Sequence, residues 1–359
     1  MTLARPDGDP DLAECLASTS AHLPQLRSNW DAISTAIEAF ANASISSIRL
    51  ASKRVIHVET VTGPSFAVKF GNPSAPLARE VATLRFLSRT GCRVPIVIAT
   101  DAMSDEPEWI ATEWAGTRTL GAYLGECTAS EADVAGLHLA VAVGQIERAF
   151  AEVTRRGVPE KAREMALKLA EPWAASAVVS LASLFAIEIT GQLHTTMERV
   201  VETALSAPLT AGPLDYHASN VVVGNTDPRL TVIDLGAIGY DWPGRRLAQY
   251  AMSVQSGVPG GRFRTALTPE AVTHFAQRLA TIHGGDGLVC AREVDAHAIL
   301  ICSVAATQLR AISAGAASPE RTVGWGDGER RRASLRRIVM AKLSADGPAN
   351  EMRCVLGQH

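Results

Sequence analysis

Asp215 and Asn220 stand five residues apart, and Asp234 follows fourteen residues later. The three side chains present two carboxylates and a carboxamide, all oxygen donors of the kind that hard cations such as Mg²⁺ take. The residues between the last two explain why they should meet. Val221-Val222-Val223 and Leu230-Thr231-Val232-Ile233 flank the turn-rich Gly224-Asn225-Thr226-Asp227-Pro228, so the stretch reads as a hairpin whose antiparallel pairing returns Asp234 to the side of Asn220. A plainer reading of the same residues is an Asx turn, a strand-entry amide and a turn carboxylate.

A second pair lies earlier in the chain. In Phe66-Ala67-Val68-Lys69-Phe70 the aromatic and β-branched residues share one strand face, leaving Ala67 and Lys69 on the other. The helix predicted over Leu77 to Arg89 carries Leu77, Val81, Leu84 and Leu87 on one stripe, and at about 100° per residue Glu80 falls inside it. A carboxylate there is costly unless it is paired, and Lys69 is the candidate partner. An ammonium held by a carboxylate can also meet a phosphate as a point charge. The alternative is a solvent-facing lysine and a glutamate at the rim of the apolar stripe.

The elements that must position these residues change character along the chain. Residues 11 to 41 have helical spacing. From Ser44 the pattern is that of strands, with a turn at Thr62-Gly63-Pro64-Ser65, and then comes the Leu77 to Arg89 helix, with Ser74 as its predicted N-cap. Val94 to Ala99 and Glu108 to Glu113 read as a further strand pair. Beyond Gly116 helices dominate: Ser130 with Asp133 suggests a capping box for a helix to about Arg156, others fill 159 to 206, Thr268-Pro269-Glu270 opens one, and two more cover 291 to 314 and 328 to 344. The Asn220 to Asp234 hairpin is the exception. The fold class expected is α+β, with a helical extension over 1–46, a small antiparallel-sheet lobe over 47–115 and a mainly helical lobe over 116–359.

The 359 residues correspond to about two domains. A hydrophobic fraction of 47% with 20% charged residues excludes a disordered chain. The net charge of −3 gives no overall basic field, so a nucleic-acid partner is not expected. Residues 241–359 nevertheless carry 15 basic against 10 acidic side chains. Arg330, Arg331, Arg332, Arg336 and Arg337 cluster there, as a pocket component or as a solvated helix face. The six cysteines lack metal-site spacing and read as reduced thiols. Residues 1 to 11 lack an apolar signal core, and the uncharged runs are too short to span a bilayer. A cytoplasmic protein with no membrane partner is expected.

Taken together these residues resemble the aminoglycoside phosphotransferase and choline kinase-like family, small-molecule kinases of the protein-kinase-like fold. Ala67-Val68-Lys69 is similar to its strand-three lysine segment, Arg79-Glu80 to its helix glutamate, and Glu113-Trp114-Ala115-Gly116 to its hinge. Asp215-Tyr216-His217-Ala218-Ser219-Asn220 resembles the catalytic D-L-H-P-G-N loop, and Ile233-Asp234-Leu235-Gly236 the metal-binding I-D-x-G. Three features depart from the family pattern. Pro213-Leu214 stands where His-Gly usually precedes the aspartate, Arg246 stands where a carboxylate is common, and the phosphate loop near Ala51-Ser52-Lys53-Arg54 has no glycine.

The resemblance implies two lobes, ATP and Mg²⁺ as cofactors, and transfer of the γ-phosphate to a hydroxyl of a small molecule. It implies Lys69, held by Glu80, on the phosphates, Ser52 beside them, and backbone groups of Glu113 and Ala115 on the base. Asn220 and Asp234 take the metal and Asp215 the hydroxyl proton, while His217 braces the loop. The basic C-terminal third favours a nucleoside or sugar-bearing antibiotic over a polycationic aminoglycoside as acceptor. A metabolic kinase of an amino alcohol or sugar and a catalytically silent nucleotide-binding module are the alternatives, acting as monomer or homodimer.

Overall fold

The computed structural model describes residues 10–72, 76–101, 105–170, 172–224, 229–252, 263–316 and 328–358. Ser74 and the hairpin turn at 225–228 lie outside the described residues. The chain divides into two compact units, the first made of residues 1–115 with 233–237 and the second of 116–232 with 238–359.

The first unit begins with helices α1 (Pro10–His22) and α2 (Pro24–Ala41) and continues into strands β1 (Ile45–Ser52), β2 (Val55–Thr60) and β3 (Phe66–Phe70). Helix α3 (Ala78–Arg89) precedes β4 (Val97–Thr100) and β5 (Trp109–Glu113). The antiparallel sheet has the order β1-β2-β3-β5-β4, so β5 rather than β4 lies beside β3. The apolar face of the sheet, with Ile48, Ile56, Val58, Phe66 and Val68, packs against Leu26, Trp30, Ile33 and Ile37 of α2 in one core. Complete burial contributes about 1.5–3 kcal/mol per large apolar side chain. The N-terminal helices therefore share the core of the sheet. Pairing of Val55 with Lys69 and His57 with Ala67 puts all four residues on the opposite face.

The second unit contains β6 (Arg118–Thr119), α4 (Leu120–Glu126), α5 (Ala129–Arg155), α6 (Glu160–Ala170), α7 (Trp173–Phe185) and α8 (Gly191–Leu205). Strand β7 (Thr210–Pro213), a 3-10 turn (Ala218–Asn220), β8 (Val221–Val223), β9 (Leu230–Val232) and β10 (Ile238–Asp241) follow. Helices α9 (Pro243–Met252), α10 (Pro269–His283), α11 (Gly287–Ser313), α12 (Gly328–Met340) and α13 (Pro348–Leu356) complete the described elements.

The hairpin expected to stand alone is joined by β6, and β7 pairs with β10. Both members of that pair are short and contain Gly or Pro, which hides them in the sequence. The N-cap of α5 is Thr128 rather than Ser130. Its side chain accepts the Glu131 N–H while the Glu131 carboxylate accepts the Thr128 N–H, a capping box two residues earlier than expected. Buried in α11, Asp295 is held by Arg353 and by the Ser344 hydroxyl at 2.8 Å. The arginine cluster of α12 is spread around its helix: Arg331 is buried over the Phe263 ring, Arg336 donates to the Leu184 carbonyl, and Arg330 and Arg337 are exposed.

His297 of α11 is 1% exposed, and burial, with Arg245 nearby, lowers its pKa from 6.5 to about 3. The unfolded chain takes this proton first, so the stability due to neutral His297 is complete above pH 6.5 and is lost as the pH falls toward about 3. Urea unfolding should therefore show stability declining below pH 6.5. In His297→Phe the slope should be shallower by up to about 1.4 kcal/mol per pH unit. An unchanged slope in that variant would show that His297 is not the group responsible.

Candidate active site

The sequence-predicted residues form two groups, one in each unit. In the first unit, Lys69 of β3 reaches Glu80 in the first turn of α3, its Nζ donating to Oε1 at 2.9 Å and to Oε2 at 2.7 Å. It also donates to Oδ1 of Asp234 at 2.5 Å. Glu80 is 5% exposed. Burial pushes its pKa up, opposed by the Lys69 ammonium. Asp234 has φ of 57°, a left-handed conformation that aspartate adopts more readily than most residues. One ammonium thus joins two carboxylates, one sequestered and one half-exposed.

Around this pair, Ser52 is exposed at the end of β1, where the register with β2 shifts. Arg54, which the sequence reading passed over, gives its carbonyl to the Phe70 N–H, keeps a buried Nη1 without a hydrogen-bond partner, and acts electrostatically on Glu80. At the end of β5 the Glu113 N–H bonds Ile96 and the Trp114 N–H bonds Ser65. Glu113 is the last residue of β5, and Ala115 lies two residues beyond it. The Trp114 ring lies 4.2 Å from that of His57.

In the second unit, Asp215 is exposed on the loop between β7 and the 3-10 turn. The Asn220 Nδ2 donates to the Asp215 backbone carbonyl at 3.2 Å, leaving the amide oxygen of Asn220 as an acceptor. The Asn220 N–H bonds the His217 carbonyl at 2.7 Å. His217 Nδ1 accepts from the Ser219 N–H at 3.3 Å, and burial lowers its pKa against the opposing charge of Asp215. A neutral imidazole therefore braces this turn. Val221 pairs with Val232, closing the base of the hairpin next to Asn220.

Two of the three departures noted in the sequence meet in one place. Arg246 of α9 is fully buried, and its Nη1 bonds Glu147 of α5 and the Thr210 hydroxyl. Its Nη2 donates to the carbonyls of Thr210 and Asp241, and its Nε to the Pro213 carbonyl at 3.2 Å. The guanidinium thus holds both ends of β7 and the end of β10, two residues before Asp215. Gly212 makes this approach possible, because a Cβ there would stand 2.8 Å from Arg246 Cζ. Burial pushes the Glu147 pKa up, but Arg246 and neighbouring hydrogen bonds bring it below the ordinary carboxylate value.

An α+β chain with this lysine–carboxylate group and this aspartate–asparagine loop has the parts of a phosphoryl-transfer enzyme. The chain belongs to the phosphotransferase enzyme family, whose model matches residues 45–254, more than half of the sequence. No curated protein matches it. Among solved structures it is similar to an aminoglycoside phosphotransferase from Alicyclobacillus acidocaldarius subsp. acidocaldarius, at 12% identity and a TM-score of 0.48, covering 88% of this chain and 92% of that one. It is also similar to a macrolide 2'-phosphotransferase from Brachybacterium faecium, at 14% identity and a TM-score of 0.44 over 82% and 95% of the two chains. A choline/ethanolamine kinase family protein from Mesorhizobium loti gives 13% identity and 0.44 over 93% and 98%.

Proposed function

We propose that this phosphotransferase moves the γ-phosphate of ATP to a hydroxyl of a small molecule in the cytoplasm, with a nucleoside or sugar-bearing antibiotic favoured over a polycationic aminoglycoside. The observation that carries the reading is Lys69, an ammonium held at 2.5–2.9 Å by Glu80 and Asp234 rather than left to solvent. Such an ammonium is oriented to neutralise phosphate oxygens. Arg54, with an unpartnered buried Nη1, adds a second cation, and Ser52 lies two residues before it. The Glu113 carbonyl and Ala115 N–H supply an acceptor and a donor suited to a base edge.

The donor set also fits Mg²⁺. Among the described residues no three His, Cys, Asp or Glu side chains gather as a metal cage. Mg²⁺ commonly relies on one or two protein oxygens together with substrate phosphates, and here Asp234 and Asn220 would supply the protein ligands. What the metal contributes when bound is neutralisation of phosphate charge. Asp215 takes the proton of the acceptor hydroxyl as that oxygen joins the γ-phosphorus and ADP leaves with the electrons of the broken P–O bond.

The test is ADP release from ATP and Mg²⁺ across nucleosides, glycosides, amino alcohols and aminoglycosides. Acceptor-dependent release that chelation abolishes and Mg²⁺ restores is expected. Nucleotide binding without release from any acceptor would favour a silent binding module, and no nucleotide binding at all would overturn the reading.

A further inference from the structure

The helical unit contains a cavity of about 190 Å³, lined among others by Trp173, Arg245, Gln249, His297, Leu300 and Val304. At ~30 Å³ per water, this is room for about six water molecules, the scale of one small ring. Arg245 connects it to the catalytic loop, since its guanidinium lies 5.0 Å from the Trp173 ring and 5.4 Å from that of Tyr216, the residue after Asp215. The charge of Arg245 is already answered by Asp241, whose carboxylate accepts from Nη1 at 3.0 Å. Among the described residues, no carboxylate lines it. The buried His297 Nε2 has no hydrogen-bond partner, while the ring is also bonded to the Ala204 backbone. The wall therefore combines an indole and aliphatic surface with the donors of Arg245, the amide of Gln249 and the imidazole of His297, and carries little net charge.

We propose that this cavity receives the acceptor and takes an uncharged polyol ring, such as the sugar of a nucleoside or glycoside, while rejecting polycations. The identity of the reaction rests on the phosphotransferase reading; the ligand class rests on the cavity alone. The apolar face of a sugar ring suits Trp173, Leu300 and Val304, and its hydroxyls suit the polar groups beside them. A polycation would give up its water in this cavity with no carboxylate among the described lining residues to answer its charge.

Calorimetric titration of the full chain with uridine, methyl α-glucoside and kanamycin tests this without requiring turnover. A neutral probe should bind and kanamycin should not. Trp173→Ala should weaken the neutral probe by about tenfold or more, the scale of losing an aromatic platform. Val304 is 51% exposed, so Val304→Trp should fold normally while narrowing the mouth, and should weaken the same probe. Kanamycin binding as tight as that of the neutral probes overturns the proposal, as does failure of every probe or indifference to both substitutions. A parallel ATP titration separates the two readings: ATP binding without sugar binding removes the cavity assignment alone, whereas sugar binding without ATP binding removes the kinase reading and leaves the cavity as a sugar site.

Discussion

Replacing Asp215 by Ala should lower acceptor-dependent ADP release by about 10²–10⁴-fold, the usual loss on removing a general base, while ATP affinity and thermal stability stay close to those of the native chain. The argument starts from exposure. Asp215 is on the surface of its loop, and the hydrogen bond that Asn220 makes to this residue goes to the main chain, not the carboxylate. Truncating the side chain therefore leaves the Asn220 bond to the main chain in place. What it removes, under the proposed mechanism, is the group that accepts or orients the hydroxyl proton. Steady-state rates, nucleotide titration and a melting curve on the same preparation give the answer. A variant retaining more than a tenth of native turnover would sink the assignment, whereas equal losses of turnover and melting temperature would mean that the residue is structural.

The largest effect on stability is expected at Arg246. Substitution by Met strands the Glu147 carboxylate in a site where both side chains are fully buried, and breaking such a pair costs about 3–5 kcal/mol. The double variant Glu147→Leu with Arg246→Met removes both charges and should recover a large part of that loss, because an apolar pair does not have to be desolvated. Urea unfolding at neutral pH measures both. The acid limb carries the same information. The folded pKa of Glu147 lies below its ordinary 4.5, so its contribution is complete above that value and is lost as the pH falls through the folded one. The single variant should lose this acid-dependent component. If the double variant is no more stable than the single one, the ion pair is not what holds this region together.

Much of the geometry of the candidate site was legible because it rests on short-range rules. Two-residue alternation placed Lys69 on the face of β3 away from the core, and the helical period placed Glu80 among leucines, so a buried carboxylate demanded a nearby cation. The hairpin around 221–232 was equally plain, since three valines in a row admit little besides a strand. What stayed hidden depends on distant chain segments. The glycine and proline of β7 give no strand signal, and the partner of β7 lies beyond the hairpin. Arg246 looked like a departure from the family pattern because its carboxylate, Glu147, is 99 residues away. Arg54 was lost in a turn read only for its missing glycine. Trp173, Arg245 and His297 come from three helices, and no local periodicity links them.

The membership of residues 233–237 in the first unit has a consequence for how the chain is made. A fragment ending at residue 115 would contain the whole five-stranded sheet and the Lys69–Glu80 pair, yet it would lack Asp234. During synthesis the amine of Lys69 must wait while 165 further residues emerge before its second carboxylate exists. At 5–20 residues per second this amounts to roughly 10–30 s. For that interval the nascent sheet carries an incomplete site, and its final form is decided from a later stretch of the message.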